Sequence, residues 1–450
     1  MNPVKKLIHD TISKISGNDY SNEFYELNDI NTQEQLSTFL QYHLSSLLSH
    51  ADSNVPYYHH IFQKINLSNK GIIDLSKFTD IPLLTKNVIR KNHDQIISKD
   101  YTTRKWYYNS SGGSTGEPMS FIQDDNYDKW RNATNSYYFQ DILKIDEPHI
   151  KKILLWGSPS DLFKGSISFR AKINDWLKNI VLLNSFKMTE KDMFSYIKTI
   201  NTYKPDLIRG YASSLYELVK FAERNNLQIY TPKILISAAE TLRDEMRQKI
   251  ETVFGTKLYD FYGSREVSNL AGECKNGLMH VFMFWNYVEI LDQNNQPVKE
   301  GEEGKVVVTN LHNYSMPFIR YEIGDMAVVG PKKCSCGNEL PTIKTVTGRI
   351  ICQFVKEDRT TVPAEFFIHL IGVVHNKGTI KKFQVIQENY KKIKILVVTE
   401  SGVSEVDKKN IENDIKSLMG QDCKIMWEFV EEIPKSNSGK FQYTKSLVWR

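Results

Sequence analysis

A loop rich in glycine and hydroxyl side chains is suited to hold a polyanion. It consists of Ser110, Ser111, Gly112, Gly113, Ser114, Thr115 and Gly116. Glycines let the backbone approach a ligand closely, and amide N–H groups and hydroxyls can donate hydrogen bonds to phosphate oxygens. The loop lacks the Gly-Lys-Ser/Thr ending of a Walker A motif. It is therefore either a phosphate-binding loop of another kind or a flexible turn.

Two later segments carry groups that suit a nucleotide and a hard metal ion. The first consists of Asp260, Phe261, Tyr262, Gly263, Ser264, Arg265 and Glu266. Its aromatic rings can stack on a purine, and Glu266 offers a carboxylate oxygen to Mg²⁺. In the second segment, Asp325 follows Gly324 and could accept hydrogen bonds from both hydroxyls of a ribose. The alternative for each segment is a turn with a solvated carboxylate.

A lysine close to the C-terminal end of the sequence lies among small polar residues. Residues 434–440 read Pro-Lys-Ser-Asn-Ser-Gly-Lys, which is typical of an exposed turn with Lys440 at its tip. Taken alone, Lys440 is either a solvated surface lysine or a cation that is presented to a ligand.

Cysteine and histidine spacing indicates a metal site. Cys274 and His280 are followed by the pair Cys334 and Cys336, with Gly337 directly after it. Three thiolates and one imidazole suit tetrahedral zinc, and four protein ligands leave no open position, so the zinc would be structural. The alternative is a set of reduced cysteines without a metal.

Composition excludes several classes of protein. The chain has 450 residues, of which 40% are hydrophobic and 25% are charged, so it is neither disordered nor a small disulfide scaffold. A net charge of +5 gives no reason to expect a nucleic acid or a membrane as partner. With no signal-peptide pattern in its first residues and only five cysteines, we expect a cytoplasmic protein.

The hydrophobic pattern predicts an α/β fold. Strands are predicted at 153–156, 207–209, 233–237 and 258–261, and helices at 190–203, 213–225 and 243–254. This alternation is typical of parallel sheets, whereas short strands between 285 and 345 indicate a β-rich part. We therefore predict a large N-terminal domain, residues 1–348, with mainly parallel sheets and a β-rich part. A small α+β lid domain, residues 349–450, follows it.

The order of these motifs resembles the adenylate-forming acyl-CoA synthetase superfamily. The resemblance is greatest to its phenylacetate–CoA ligase branch, which includes adenylating proteins of capsule and O-antigen gene clusters. It extends over most of the chain, through segments 51–58 (Ala-Asp-Ser-Asn-Val-Pro-Tyr-Tyr), 81–86 (Ile-Pro-Leu-Leu-Thr-Lys), 209–212 (Arg-Gly-Tyr-Ala) and 237–242 (Ser-Ala-Ala-Glu-Thr-Leu).

The resemblance implies a two-step ligase. In the family, a small-molecule carboxylate attacks the α-phosphate of MgATP and gives an acyl-adenylate and pyrophosphate. A thiol, of CoA or of a carrier protein, then displaces AMP. An amine acceptor would give an amide instead, and a nucleotidyltransferase would stop at adenylyl transfer. A binding module that has lost catalysis is the non-enzymatic alternative.

Roles follow for individual residues from the same resemblance. Lys440 would neutralise charge on the α-phosphate, and residues 110–116 would hold the β- and γ-phosphates. Within residues 260–264, Tyr262 would stack on adenine while Asp260 accepts from its 6-amino group. The backbone of Ala239 and Glu240 would line adenine, and Asp325 would bind the ribose. Glu266 would ligate Mg²⁺, and Arg349 would contact the ribose or a phosphate.

Some features depart from the family pattern or stay open. Met119 stands where a lysine is frequent, and Ile350 to Gln353 lack the acidic hinge residue usual after Gly348 and Arg349. The pivot of any lid rotation is therefore not given by the sequence. Members of the branch often carry the Cys, His and Cys-x-Cys-Gly set, which favours zinc. The acid, the acceptor and a homodimeric state stay open.

Overall fold

The computed structural model describes the greater part of the chain. The described residues are 19–69, 71–110, 119–147, 150–156, 175–185, 188, 190–349, 353–357, 361–363, 367, 370–371, 380–399, 402–433 and 444–448. The predicted site residues Ser111, Gly112, Gly113, Ser114, Thr115, Gly116 and Lys440 lie outside these ranges, and for Arg349 only the backbone is described.

The elements are numbered in chain order within the described ranges. The helices are α1 (Ser21–Asn28), α2 (Gln33–Asn54), α3 (Pro56–Lys64), α4 (Lys86–Lys91), α5 (His93–Ile96), α6 (Asp125–Tyr137), α7 (Glu190–Tyr203), α8 (Ala212–Arg224), α9 (Asp244–Phe254) and α10 (Glu405–Met419). The strands are β1 (Ser68–Asn69), β2 (Ile72–Ile73), β3 (Trp106–Ser110), β4 (Ser120–Asp124), β5 (Lys152–Trp156), β6 (Ile180–Asn184), β7 (Leu207–Gly210), β8 (Ile234–Ala238), β9 (Leu258–Ser264), β10 (Ser268–Glu273), β11 (Met279–Val281), β12 (Asn286–Leu291), β13 (Glu303–Asn310), β14 (Tyr321–Val329), β15 (Thr342–Arg349), β16 (Gln353–Val355), β17 (Thr361–Pro363), β18 (Ile380–Asn389), β19 (Lys392–Thr399), β20 (Lys424–Phe429) and β21 (Thr444–Ser446).

The chain divides into two compact units, and the first is built around antiparallel strands. This unit comprises Met1–Gly112, Pro118–His149 and Tyr259–Thr347. Its main strands neighbour one another in the order β12-β13-β14-β15-β11-β10-β9. Strand β13 pairs on both sides, and its run of β-branched residues suits that place, because Val306, Val307 and Val308 are all fully buried. The predicted β-rich part is confirmed.

The second unit contains a parallel sheet covered by helices. It comprises Gly113–Glu117, Ile150–Leu258 and Gly348–Arg450. Parallel strands lie in the order β8-β7-β5-β6, and α7 and α8 connect successive strands. Every residue of β8 is buried, as expected for a parallel strand with both faces covered. The predicted strand–helix alternation is confirmed, and α7 begins and ends at the predicted residues.

The C-terminal part of the second unit has its own core. Strands lie in the order β20-β19-β18-β21, with β18 and β19 antiparallel. Helix α10 begins at the capping residue Ser404, whose hydroxyl accepts from the Asp407 N–H at 3.1 Å, and buries Ile411 and Ile415 against the sheet. The predicted α+β character is confirmed. The predicted boundary between residues 348 and 349 stays a prediction.

None of the helices in the described ranges has both the length and the apolar character needed to cross a bilayer.

A buried histidine lies between two indole rings in the core of the first unit. His312 is 1% exposed, and its ring stacks on Trp130 at 3.9 Å and on Trp285 at 5.8 Å between centroids. Its Nε2 lies 2.8 Å from the Phe284 carbonyl oxygen. Burial lowers the pKa of His312 well below its ordinary value, and the nearby His43 acts in the same direction.

We expect the protein to lose stability as the pH falls below the ordinary histidine pKa. There the unfolded chain takes up a proton at His312 and the folded chain does not, so acid favours unfolding by up to about 1.4 kcal/mol per pH unit for this group. His312→Gln should lower the free energy of unfolding at pH 7 but flatten its dependence on pH. Denaturant unfolding across the acidic range measures this slope. The exposed His60→Gln is the control, and an unchanged slope in His312→Gln would contradict the assignment.

Candidate active site

Two residues that were predicted to bind a nucleotide meet in the first unit. The Tyr262 hydroxyl on β9 donates a hydrogen bond to Asp325 Oδ2 on β14 at 2.8 Å, although the two residues are 63 positions apart. Asp325 is 7% exposed. This bond fixes the direction of the Asp325 carboxylate. Their roles toward adenine and ribose stay predictions.

Strand alternation divides the predicted segment 260–264 between two faces. Phe261 is 3% exposed and packs edge-on against Tyr138 at 5.0 Å, so its ring belongs to the core. Only its backbone is therefore left for a ligand. Asp260 is half-buried; its Oδ1 accepts from the Phe261 N–H at 3.0 Å, and its own N–H donates to Glu273 at 2.8 Å.

A tight turn between β9 and β10 directs Glu266 inward. A side chain on Gly263 would lie 2.4 Å from the Ser268 carbonyl oxygen, so only glycine fits there. The Ser264 hydroxyl accepts from the Val267 N–H at 3.3 Å and closes the turn. Gly263 and Ser264 thus have structural roles, whatever ligand the segment binds. Glu266 follows in the same turn and is 4% exposed.

Glu266 forms an ion pair with Lys86, a residue to which the sequence motifs assign no role. Lys86 Nζ lies 3.2 Å from Glu266 Oε1, and the Tyr321 hydroxyl lies 3.4 Å from the same oxygen. On the backbone side, Gln123 Nε2 donates to the carbonyl oxygens of Arg265 and Glu266 at 3.2 and 3.3 Å. Lys86 lies in the quoted segment 81–86, but no periodicity relates it to Glu266.

A buried ion pair attaches the segment before Lys86 to strand β14. Arg320 donates to both carboxylate oxygens of Glu289 at 3.0 Å, and its guanidinium also bonds the carbonyl oxygens of Thr79 and, at 2.8 Å, Ile81. Both side chains of the pair are nearly inaccessible, at 3% and 9% exposed. Burial raises the pKa of Glu289, and Arg320 opposes that shift.

Backbone hydrogen bonds continue this attachment up to Lys86. Leu84 N–H donates to the Arg320 carbonyl oxygen, and Glu322 N–H donates to the Leu84 carbonyl oxygen, both at 2.9 Å. Thr85 then caps α4 by accepting from the Val88 N–H at 3.3 Å, so Lys86 is the first helical residue. The position of Lys86 is therefore determined by β14.

The predicted phosphate loop is described only at its first residue, Ser110. Ser110 ends β3 and pairs with Ser120 of β4, while residues 111–116 lie outside the described ranges. Arg349 ends β15, and its side chain is not described. Lys440 also lies outside the described residues, so the roles of all three stay predictions.

In the second unit, a strained backbone follows strand β8. Ala239 has a φ of 67°, a conformation that costs a non-glycine residue on the order of 1 kcal/mol. The Glu240 carboxylate accepts from the N–H and the hydroxyl of Ser213 at 2.9 and 3.1 Å and so ties the loop to the start of α8. Strain that is held by neighbouring contacts is frequent at ligand sites. Contact of Ala239 and Glu240 with adenine stays a prediction.

An aromatic pair lies at the carboxyl ends of the parallel strands. Trp156 ends β5 and stacks on Tyr211, which follows β7, with ring centroids 4.4 Å apart and an interplanar angle of 21°. Ligands of α/β sheets bind at this edge, so the pair is a candidate wall for an acyl group.

The predicted metal ligands come together in the first unit. One ligand atom from each of Cys274, His280, Cys334 and Cys336 lies within 4.8 Å of the other three. Cys274 Sγ is 3.6 Å from Cys334 Sγ, and Cys336 Sγ is 3.2 Å from His280 Nε2. Tetrahedral zinc with bonds of about 2.3 Å to sulfur and 2.0 Å to nitrogen requires separations of this size.

The surroundings of the cluster also suit a metal. His280 Nδ1 lies 3.2 Å from the Leu340 carbonyl oxygen, an orientation that leaves Nε2 to face the thiols. Backbone N–H groups of Asn276 and Asn338 approach Cys274 Sγ and Cys336 Sγ at 3.4 and 3.5 Å. The residues therefore fit the predicted ion. Burial raises the pKa of Cys336 to about 12, so without a cation this thiol is neutral at pH 7.

Comparisons with known proteins agree with these motifs. Residues 354–447 match the family described as the CapK C-terminal domain. Protein CapK of Staphylococcus aureus is 25% identical over 438 residues, covering 94% of this chain and 92% of that protein. A phenylacetate–coenzyme A ligase of Thermus thermophilus is 23% identical over 458 residues, covering 92% and 97%. The chain is therefore similar over most of its length to CapK and to a phenylacetate–CoA ligase. The resemblance predicted from the motifs is confirmed.

The fold agrees with a solved member of the superfamily. A structure described as 2-hydroxyisobutyryl-CoA ligase in the postadenylation state, in complex with 2-HIB-AMP, aligns with a TM-score of 0.62. The alignment covers 92% of this chain and 90% of that one at 16% sequence identity. The similarity establishes the fold and confirms the predicted fold class.

We expect the Arg320–Glu289 pair to dominate the stability of the first unit. Arg320→Met takes the guanidinium away from a buried carboxylate and should cost about 3–5 kcal/mol of unfolding free energy. Arg320→Met combined with Glu289→Met should recover part of this loss, because no charge then stays buried. Denaturant unfolding measures both. Arg104→Met breaks a half-buried pair with Asp100 that is more accessible to water, and it is the control, with an expected cost of about 1 kcal/mol. Equal losses in Arg320→Met and Arg104→Met would contradict this view.

Proposed function

We propose that the protein is an ATP-dependent carboxylate ligase that forms AMP. An acid would be converted to an acyl-adenylate with release of pyrophosphate and then transferred to a thiol, of CoA or of a carrier protein. The observation that carries the proposal is the hydrogen bond from Tyr262 to Asp325, because it joins the two segments assigned to adenine and ribose. Similarity to phenylacetate–CoA ligases over nearly the whole chain supports it.

The residues of the first unit would hold the adenosine part of ATP and its metal. The Tyr262 ring would stack on the base, and the oriented Asp325 carboxylate would accept from the ribose hydroxyls. Glu266 would ligate Mg²⁺, an ion that proteins usually hold by one or two carboxylates together with substrate phosphates. When bound, the ion would offset charge on the phosphate oxygens.

Lys440 would supply the remaining cation. Negative charge develops on the α-phosphate in the transition state, and a cation aimed at it is most effective where water is excluded. We propose that residues 349–450 act as a lid that brings Lys440 in for adenylation and removes it for acyl transfer. The relative 2-hydroxyisobutyryl-CoA ligase has been captured in a postadenylation state, which supports such a division of the reaction.

We expect Lys440→Ala to separate the two half-reactions. Carboxylate-dependent ATP–pyrophosphate exchange should fall by a factor of about 10²–10³, because one charged donor to the transition state is lost. Consumption of a supplied acyl-adenylate in the presence of the thiol should be retained. Lys445→Ala, an exposed lysine on β21, is the control and should retain both activities. An equal loss in the two half-reactions would defeat the role of Lys440.

A screen of substrates identifies the acid and the acceptor. Pyrophosphate release is measured over aryl, fatty and amino acids, with CoA and amines added in turn. A thioester product supports the proposal, whereas an amide identifies an amine acceptor. AMP that stays covalently attached to the product identifies nucleotidyl transfer. No pyrophosphate release with any acid would overturn the proposed function.

We also propose that Cys274, His280, Cys334 and Cys336 bind one structural zinc ion. The sulfur and nitrogen separations support tetrahedral coordination with no open position. The ion would join the turn between β10 and β11 to the connection between β14 and β15. It would thereby fix the end of β10 that lies opposite the β9–β10 turn.

Metal analysis of the purified protein tests the zinc site. We expect about one zinc per chain in the wild type and a large loss of zinc with a lower unfolding temperature in Cys336→Ser, since a structural zinc contributes directly to folding energy. Cys423→Ser is the matched control, because Cys423 is buried and lies in the other unit. Wild-type protein that is stable and contains no zinc would refute the assignment.

A further inference from the structure

The carboxylate of Glu266 is buried together with a counter-ion from α4. The Glu266 side chain is 3% exposed and that of Lys86 is 16% exposed, with 3.2 Å between Nζ and Oε1. A buried carboxylate is costly unless a cation or hydrogen-bond donors compensate it. Lys86 supplies that charge in the present structure, and the Tyr321 hydroxyl adds a contact at 3.4 Å.

The backbone contacts of the preceding residues fix the position of Lys86. Leu84 forms a parallel bridge with Tyr321, and the residue after it, Thr85, caps the helix that Lys86 begins. The same strand, β14, carries Tyr321 and Asp325. One strand therefore positions the counter-ion of Glu266, its hydroxyl contact and the carboxylate proposed for ribose.

The arrangement creates a conflict of charge when a metal binds. An ion ligated by Glu266 would approach the oxygen that Lys86 now contacts, and two cations a few ångströms apart repel each other. The repulsion is relieved if Lys86 turns to a new anion. The phosphates of a nucleotide bring several negative charges into the same place, so they provide that anion.

We propose that Lys86 acts as a built-in substitute for the metal. Its ammonium balances Glu266 while the site holds no ion, and it pairs with a phosphate of the nucleotide once Mg²⁺ has taken the carboxylate. This inference rests on the proposed function, since it takes Glu266 as the Mg²⁺ ligand. Its consequence is that Mg²⁺ without nucleotide binds poorly, so the ion and ATP bind together. Lys86 is in this sense a positioning residue for the metal.

The test follows stability against Mg²⁺ in the absence of nucleotide. The midpoint of thermal unfolding is measured in EDTA and across a MgCl₂ titration. We expect no response from the wild type. Lys86→Met should unfold at a lower temperature in EDTA and recover with Mg²⁺, whose affinity should be at least about tenfold higher than in the wild type, because the competing ammonium is gone. Lys86→Arg keeps the charge and should behave as the wild type.

Further variants separate this role from a merely structural one. Lys86→Met combined with Glu266→Gln removes both charges and should be more stable than Lys86→Met alone, with no response to Mg²⁺. Lys305→Met is the matched control, because Lys305 is 18% exposed and pairs with Glu322 at 3.8 Å; any loss it causes should not be recovered by Mg²⁺. If Lys86→Met does not fold at all, folding of the double variant still supports the coupling and its failure overturns it.

Two results of the Mg²⁺ titration also overturn the inference. One is a wild-type response to Mg²⁺ equal to that of Lys86→Met, and the other is a loss of stability in Lys86→Met that Mg²⁺ does not recover. The proposed function fails in a different experiment, ATP–pyrophosphate exchange. If Lys86→Met shows the Mg²⁺ response but the wild type shows no ATP–pyrophosphate exchange, the metal site stands and the proposed function fails. If exchange is observed without the Mg²⁺ response, only the role of Lys86 fails.

Discussion

The first unit depends on one buried ion pair, between Arg320 and Glu289. Two charges in a medium of low polarity are tolerated only with close geometry and further hydrogen bonds, and Arg320 has both. The pair fastens the segment that precedes α4 to the start of β14. Together with the backbone hydrogen bonds of Leu84 to Arg320 and Glu322, it places the first residue of α4 beside the β9–β10 turn. The bonds of Arg320 to Thr79 and Ile81 thus help to place Lys86 beside Glu266.

Much of the fold could be predicted because the signals were local. The alternation of apolar runs and amphipathic segments predicted α7 at its observed bounds. It predicted the bounds of β5, β7 and β8 to within one or two residues. The motif at 260–266 also predicted which residue types would lie together at the end of a strand. It did not distinguish Phe261, whose ring is in the core, from Tyr262, whose hydroxyl reaches Asp325. That distinction depends on which face of β9 is covered.

Contacts between distant segments could not be predicted in the same way. Lys86 and Glu266 belong to different motifs, and each has an ordinary local explanation, a first helical residue and a turn carboxylate. The pairing of Leu84 with Tyr321 and the bonds of Arg320 to the preceding residues bring them within 3.2 Å. The cluster of three cysteines and one histidine was predicted from sequence because these residue types are rare and chemically specific. A lysine or glutamate gives no such signal among 58 basic and 53 acidic residues.

Strand β9 has a further consequence for how this chain can diverge. Phe261 and Tyr262 point to opposite faces of the strand. Inserting or deleting a single residue ahead of them would therefore turn Phe261 out of the core and Tyr262 away from Asp325. At Gly263 the close approach of the Ser268 carbonyl oxygen leaves no room for a side chain. We therefore expect this strand to diverge by replacement of its other side chains and not by a change in its number of residues. Loops elsewhere on the chain have no such alternation of faces, so variation in length among relatives should accumulate there.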